Sequence, residues 1–269
     1  MNRRTFLLTS GISLGLGFPS CSWAESAGDS RLRKWSVQVD GIQRDALISV
    51  PKPAWFNPSP VVFVFHGHGG NAHQAALSFD LAREWPQAIC VYMQGLNTPG
   101  RLTDPEGRQT GWQQSVGEQN DRDLKFFDAT LLQLQKEFNV DTKRIYSTGH
   151  SNGGAFTYLL WETRPDQFAA FAPSGAATPR AGQLKPKPAI HIAGQSDRLV
   201  RFEWQNRTME VIRKNNGCAL QGEEQGSFCL KYPSRSGTPF VAYIHPGGHE
   251  FPAQAPALMV RFFKENVLP

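Results

Sequence analysis

The sequence predicts one α/β domain, a mostly parallel central sheet with helices on both faces and little or no cap. Three observations carry that expectation. Short β-prone runs alternate with helix-like runs along most of the chain. One of them, Val61-Val62-Phe63-Val64-Phe65, is continuously apolar, as a strand buried on both faces must be. The third is Tyr146 to Gly154, which reads as the end of a strand, a tight turn and the start of a helix.

Composition sets the outer bounds. The chain has 269 residues, with 40% hydrophobic and 19% charged, which describes a globular protein without a disorder signature. The formal net charge of +5 is modest, and no basic run is interleaved with aromatics. A nucleic-acid partner is therefore not expected. The segment Asn2-Arg3-Arg4-Thr5-Phe6-Leu7-Leu8 opens a basic, then apolar stretch that ends in small residues near Ala24. It reads as a cleavable export signal over residues 1–24, and the paired arginines resemble a twin-arginine signal. The expected location is periplasmic or extracellular. Nothing later is long and apolar enough for a membrane span.

Residues 25–34 read as a polar lead-in, and 35–269 as the one folded domain. Trp35–Val39 and Ala46–Val50 alternate with period two around Asp40-Gly41, the pattern of an edge hairpin. After the Val61–Phe65 strand comes His66-Gly67-His68-Gly69-Gly70, then a helix expected over Ala72–Trp85 and a strand over Ala88–Met93. Residues 94–120 form a long loop around Trp112, and loops of that length are usually functional. Asp121-Arg122-Asp123 caps a helix to Phe138 whose Leu124, Phe127, Leu131, Leu134 and Phe138 share a face. Strands are expected near Phe168–Pro173, Ala189–Ala193 and Phe240–Ile244, with helices over Phe202–Lys214 and up to Glu265.

Gly149-His150-Ser151-Asn152-Gly153 carries the chemistry. A turn this tight pushes its middle residue to positive φ, and the flanking glycines relieve the crowding. Ser151 is left exposed at a helix N-terminus, where free N–H groups favour a developing negative charge. With glycine near 7% of residues, such a pattern arises by accident on the order of 0.1 times in a chain this long. Partners must therefore be found downstream. A serine nucleophile needs a base, and the base an orienting carboxylate. Asp197 leaves the Ala189–Ala193 strand at the edge where ligands bind in open parallel sheets. His249 stands in Pro246-Gly247-Gly248-His249, after the last strand. His191, inside an apolar strand, reads as a satisfied core residue. The oxyanion donors are the N–H groups of Asn152 and His68. The His66-x-His68 spacing has no third ligand, so no metal is expected.

Export makes the cysteines legible. Cys218 and Cys229, with ten residues between them, are expected to form a disulfide, and Cys90 to be a buried core thiol.

The stretches His66–Gly70, Tyr92–Leu96, Gly111–Gln113, Asp123–Phe126, Gly149–Gly154, Gly194–Asp197, Asn216–Cys218 and Gly247–His249 resemble a family of secreted α/β-hydrolases. That family groups feruloyl and acetylxylan esterases with polyhydroxybutyrate depolymerase-like proteins. The resemblance spans most of residues 40–265. It implies Ser151, Asp197 and His249 as the triad and no cofactor. Phe251 and His68 depart from the family's usual residues near the pocket.

The expected activity is ester hydrolysis through an acyl-enzyme, on feruloyl or acetyl esters of plant polysaccharide. A polyester depolymerase with the same triad is the close rival. A non-catalytic surface-binding module is the alternative from another class. Because only Ala176–Lys187 is available as a lid, the site is expected to be open enough for a bulky or polymeric ester. Trp112, His150 and Phe251 are the candidate substrate contacts, and Trp112 reads equally well as a loop anchor packed on the sheet. Oligomeric state is left open.

Overall fold

The structure, a computed structural model, describes residues 32–269, so the expected export signal and most of the expected lead-in lie outside the described residues. The hairpin comes first, β1 (Arg33–Val39) against β2 (Ile42–Ser49), antiparallel in register. Its two-residue turn places Asp40 at φ 51° and Gly41 at φ 79°, the left-handed pair that matches strand twist. Residues 33 and 34 belong to this strand and not to the lead-in.

The parallel core follows. β3 (Ser59–Phe65), β4 (Ile89–Met93), β7 (Val140–His150), β8 (Ala170–Ser174), β9 (Ala189–Gly194) and β12 (Phe240–His245) lie parallel. Together with the edges they form a ten-stranded sheet in the order β1-β2-β4-β3-β7-β8-β9-β12-β11-β10. The far edge, β10 (Glu223–Glu224) and β11 (Cys229–Tyr232), runs antiparallel between α5 and β12, where no strand is expected from the sequence. β5 (Leu96–Asn97) and β6 (Thr110–Gly111) pair separately within the long loop.

Alternation along β3 divides the core in two. Phe63 and Phe65 point to the face covered by α3 (Arg122–Glu137), α4 (Asn152–Thr163) and α5 (Phe202–Asn215). Val62 and Val64 point to the other, under α1 (Ala72–Phe79), α2 (Leu81–Glu84) and α6 (Ala255–Glu265). The expected Ala72–Trp85 helix is thus two helices, broken where Asp80 takes a left-handed φ of 43°.

The expected Cys218–Cys229 disulfide is not formed. Cys229 opens β11 and packs into the α6-side core, whereas Cys218 packs against the α5-side core. The sheet stands between the two thiols. Cys90 is fully buried as expected, and burial pushes its thiol up to about 12.

Strand order also places the site. From β3 the chain crosses to β4 on one side, while β7 lies on the other and leads onward to β8. The loops after β3 and β7 therefore diverge, leaving a crevice at the C-terminal ends of these strands.

Candidate active site

Ser151 sits in that crevice. It joins β7 to α4 at φ 56° and ψ −120°, a strained conformation for a residue with a side chain. The turn is held by Ser151 N–H donating to Ser174 O at 2.8 Å. The glycine after it is compulsory: a Cβ on Gly153 would strike the carbonyl oxygen of Phe65 in β3. This close approach sets the elbow against the loop that follows β3.

His249 and Asp197 arrive from the other side of the sheet. Asp197 follows β9 and His249 follows β12, and these two strands are neighbours. A Cβ at Gly194 would collide with Gly248 O, so only glycine lets the two loops meet this closely. His249 Nε2 lies 2.8 Å from Ser151 Oγ, and His249 Nδ1 lies 2.7 Å from Asp197 Oδ2. With Nδ1–H donating to the carboxylate, Nε2 presents a bare lone pair to the serine hydroxyl. Asp197 is buried, and its Oδ1 accepts from the amides of Leu199 at 2.9 Å and Val200 at 3.0 Å.

The loop after β3 is pinned by its own histidine. His66 donates from Nδ1 to Gly67 O at 2.7 Å and accepts the Gly95 amide on Nε2 at 3.0 Å. Burial lowers its imidazole to about 4, so the ring is neutral. Gly69 N–H donates to Thr110 O at 2.7 Å. Among the described residues, neither the His68 amide nor the Asn152 amide meets an acceptor in the chain. The His68 ring bonds instead to Asp104, with Nε2 at 3.0 Å from Oδ2.

Trp112 is not a substrate platform. It is completely buried, T-shaped against Phe65 and stacked on Phe156, and its indole N–H donates to His66 O at 2.9 Å. The Asn152 side chain clips the same residue from both ends, accepting from Trp112 N at 2.7 Å and donating to Trp112 O at 3.1 Å. The long loop is thereby fastened to the elbow. A second anchor was invisible to sequence reading: Asp123 does not cap its helix in solvent but pairs, fully buried, with Arg44 at 2.8 Å. Its other oxygen accepts the Gln113 amide at 3.0 Å.

Phe251 is also a packing residue. It stacks on Phe79 at a centroid distance of 4.2 Å and meets His150 edge-on. His150 does line the cavity beside Ser151, but both of its ring nitrogens are engaged. Nε2 donates to the main-chain carbonyl of His249 at 2.8 Å, and Nδ1 accepts from Ser174 Oγ at 3.1 Å. Burial is the main reason its imidazole falls to about 4.

The site is a walled cavity of about 900 Å³. Residues 176–187 contribute only a short 3-10 turn, Ala181–Gln183, and no helical cap. The long loop supplies a wall through Gly100–Thr103, and α5 supplies Trp204 and Arg207 opposite. Trp204, 41% exposed at the first turn of α5, is the aromatic that reaches the cavity. Among the described residues, no cluster of three or more His, Cys, Asp or Glu side chains could hold a metal ion, and no helix is long and apolar enough to cross a membrane.

Fold and site together define an ester-hydrolysing enzyme of the α/β-hydrolase fold. Within that class the chain belongs to the dienelactone hydrolase family, which matches residues 45–220. Two relatives bear names that agree. The bifunctional acetylxylan esterase/xylanase of Neocallimastix patriciarum is 30% identical, over 72% of this chain and 27% of its own length. The probable feruloyl esterase C of Aspergillus niger is 28% identical, over 72% of this chain and 71% of its own. The chain thus spans about a quarter of the first relative and most of the second. A solved acetyl xylan esterase from Aspergillus awamori shares the fold, with a TM-score of 0.59, 13% identity, and coverage of 87% of this chain and 99% of that one.

Proposed function

We propose that the chain is a serine carboxylesterase working through an acyl-enzyme, with feruloyl or acetyl esters of plant polysaccharide as its substrates. The observation that carries this reading is the hydrogen-bonded line Ser151–His249–Asp197, at 2.8 and 2.7 Å, opening on a cavity of about 900 Å³. The relatives' names supply the substrate class.

In this reading His249 Nε2 takes the Ser151 proton as Oγ bonds to the ester carbon. The carbonyl oxygen becomes an oxyanion and is met by the amides of Asn152 and His68, aided by the N-terminus of α4. Collapse breaks the bond to the alcohol oxygen, which leaves with the proton held by His249. Water then enters, gives its proton to His249 and adds to the acyl carbon. Ser151 leaves with that proton, and the free acid is released. Asp197 orients the imidazole and stabilises its charged form. The reading includes export of the mature chain under the N-terminal signal.

The deciding experiment is hydrolysis of a substrate panel by wild type and Ser151→Ala. The panel holds p-nitrophenyl acetate and butyrate, methyl ferulate, acetylated xylan and a short hydroxybutyrate oligomer. Preference for methyl ferulate or acetylated xylan, abolished by Ser151→Ala, supports the proposal. Preference for the hydroxybutyrate oligomer would make the chain a polyester depolymerase. Equal inertness of both proteins toward the whole panel would return it to a binding role.

A further inference from the structure

Asp197 ends a buried line of side chains that begins two turns into α4. Tyr158 Oη lies 2.6 Å from His191 Nδ1, and His191 Nε2 lies 3.1 Å from Gln205 Oε1. Gln205 Nε2 then lies 2.9 Å from Asp197 Oδ2. All four residues are buried, and His191 and Gln205 are wholly so. Three elements, α4, β9 and α5, each contribute a member.

Only one arrangement of protons pairs every group. Gln205 Nε2 faces two acceptors, Asp197 Oδ2 and Val200 O, the latter at 2.6 Å. A flipped amide would set its carbonyl oxygen against both. With Nε2 so placed, Oε1 faces His191 and requires a proton on His191 Nε2. His191 Nδ1 is then bare and accepts the Tyr158 hydroxyl proton. Reversing any member leaves a buried donor or acceptor without a partner. Burial lowers the His191 imidazole to about 4, so the ring is neutral and has one tautomer to choose.

The two oxygens of Asp197 are held by different means. Oδ1 is held by the loop's own amides, and the oxygen that meets His249 is the one that Gln205 grips. We propose that Tyr158, His191 and Gln205 form a positioning relay that fixes the Asp197 carboxylate and, through it, the angle and tautomer of His249. Tyr158 sets the His191 tautomer, His191 sets the Gln205 amide, and Gln205 sets the carboxylate. The inference rests on the proposed triad. The other titratable groups near its end are His150, whose ring centroid is 4.9 Å from that of His249, and His245, with Glu250 at 3.8 Å. Neither bonds to a member of the relay.

The test compares Gln205→Leu and Tyr158→Phe with Ile212→Val, a core change on α5 away from the line. Loss of the Gln205 donor should lower kcat by about 10- to 100-fold with KM within about twofold. It should also move the acid limb of kcat/KM to higher pH, because a less satisfied carboxylate holds the charged form of His249 more tightly. Tyr158→Phe, which removes one oxygen atom, should lower kcat by about 3- to 10-fold and shift the limb the same way. Ile212→Val should lower thermal stability and leave the pH profile in place. If Gln205→Leu does not fold, Tyr158→Phe decides alone. Folded variants with wild-type kcat and pH profile, alongside an inactive Ser151→Ala, would overturn the relay and leave the triad standing. Activity that survives Ser151→Ala would overturn the triad reading and the relay with it.

Discussion

His150 donates from Nε2 to the main-chain carbonyl of His249 at 2.8 Å, tying the residue before the candidate nucleophile to the backbone of the candidate base. The same ring accepts from Ser174 Oγ on the neighbouring strand. The elbow therefore holds His249 twice, through the serine hydroxyl and through its own preceding side chain. Replacing His150 by Phe keeps a ring in place and removes both bonds. The His249 loop should then loosen, lowering kcat by about 10- to 100-fold, as small misplacements of a reacting group do. Steady-state kinetics on p-nitrophenyl acetate, with circular dichroism as a folding control, measure it.

The Arg44–Asp123 pair governs the long loop. It is buried and bonded to the loop backbone through Gln94 and Gln113. Removing one partner strands the other charge in the core, which costs about 3–5 kcal/mol. Asp123→Ala should show that loss in urea unfolding. Hydrogen exchange should rise first across 94–120.

Acid stability follows from the buried histidines. Burial lowers His66, His150 and His191 to about 4 from an ordinary 6.5. Between those values the unfolded chain binds protons that the folded chain refuses, so stability falls as pH drops from about 6.5 towards 4. Above 6.5 these groups contribute no slope. Urea midpoints at pH 7.5, 5.5 and 4.5 should decline in that order, and His191→Phe should flatten the decline even if it lowers the plateau.

Trp204 gives a prediction about specificity. It lines the cavity with its ring partly exposed, and Arg201 stacks over it at 4.5 Å. Trp204→Ala should raise KM for methyl ferulate by about 5- to 50-fold, the worth of one aromatic contact, and change KM for p-nitrophenyl acetate little.

The parts of this site that sequence could reveal are those written in local patterns. Gly149 to Gly153 declares an elbow because only glycines tolerate its crowding, and Asp197 and His249 each follow a recognisable strand. Their meeting then follows from the adjacency of β9 and β12. An aromatic near a motif looks the same in sequence whether it faces solvent or the sheet, so local pattern alone leaves the direction of Trp112 and Phe251 open. The difference lies in Asn152 and Phe79, distant partners that decide which way each ring turns. Cys218 and Cys229 suggested a bridge by their spacing, but an unmarked edge strand placed them on opposite faces. Gln205 carries no local signal: a polar residue on a helix is ordinary until His191 and Asp197 are found beside it.

In the proposed reaction Ser151 carries the acyl group. The most direct measurement is the intact mass of the protein after rapid acid quench of its reaction with p-nitrophenyl butyrate, followed by peptide mapping. Wild type should carry a butyryl adduct on Ser151, and Ser151→Ala should show no adduct there with kcat lower by roughly 10,000-fold or more. Turnover by wild type with an adduct on another residue, or undiminished turnover by Ser151→Ala, would contradict it.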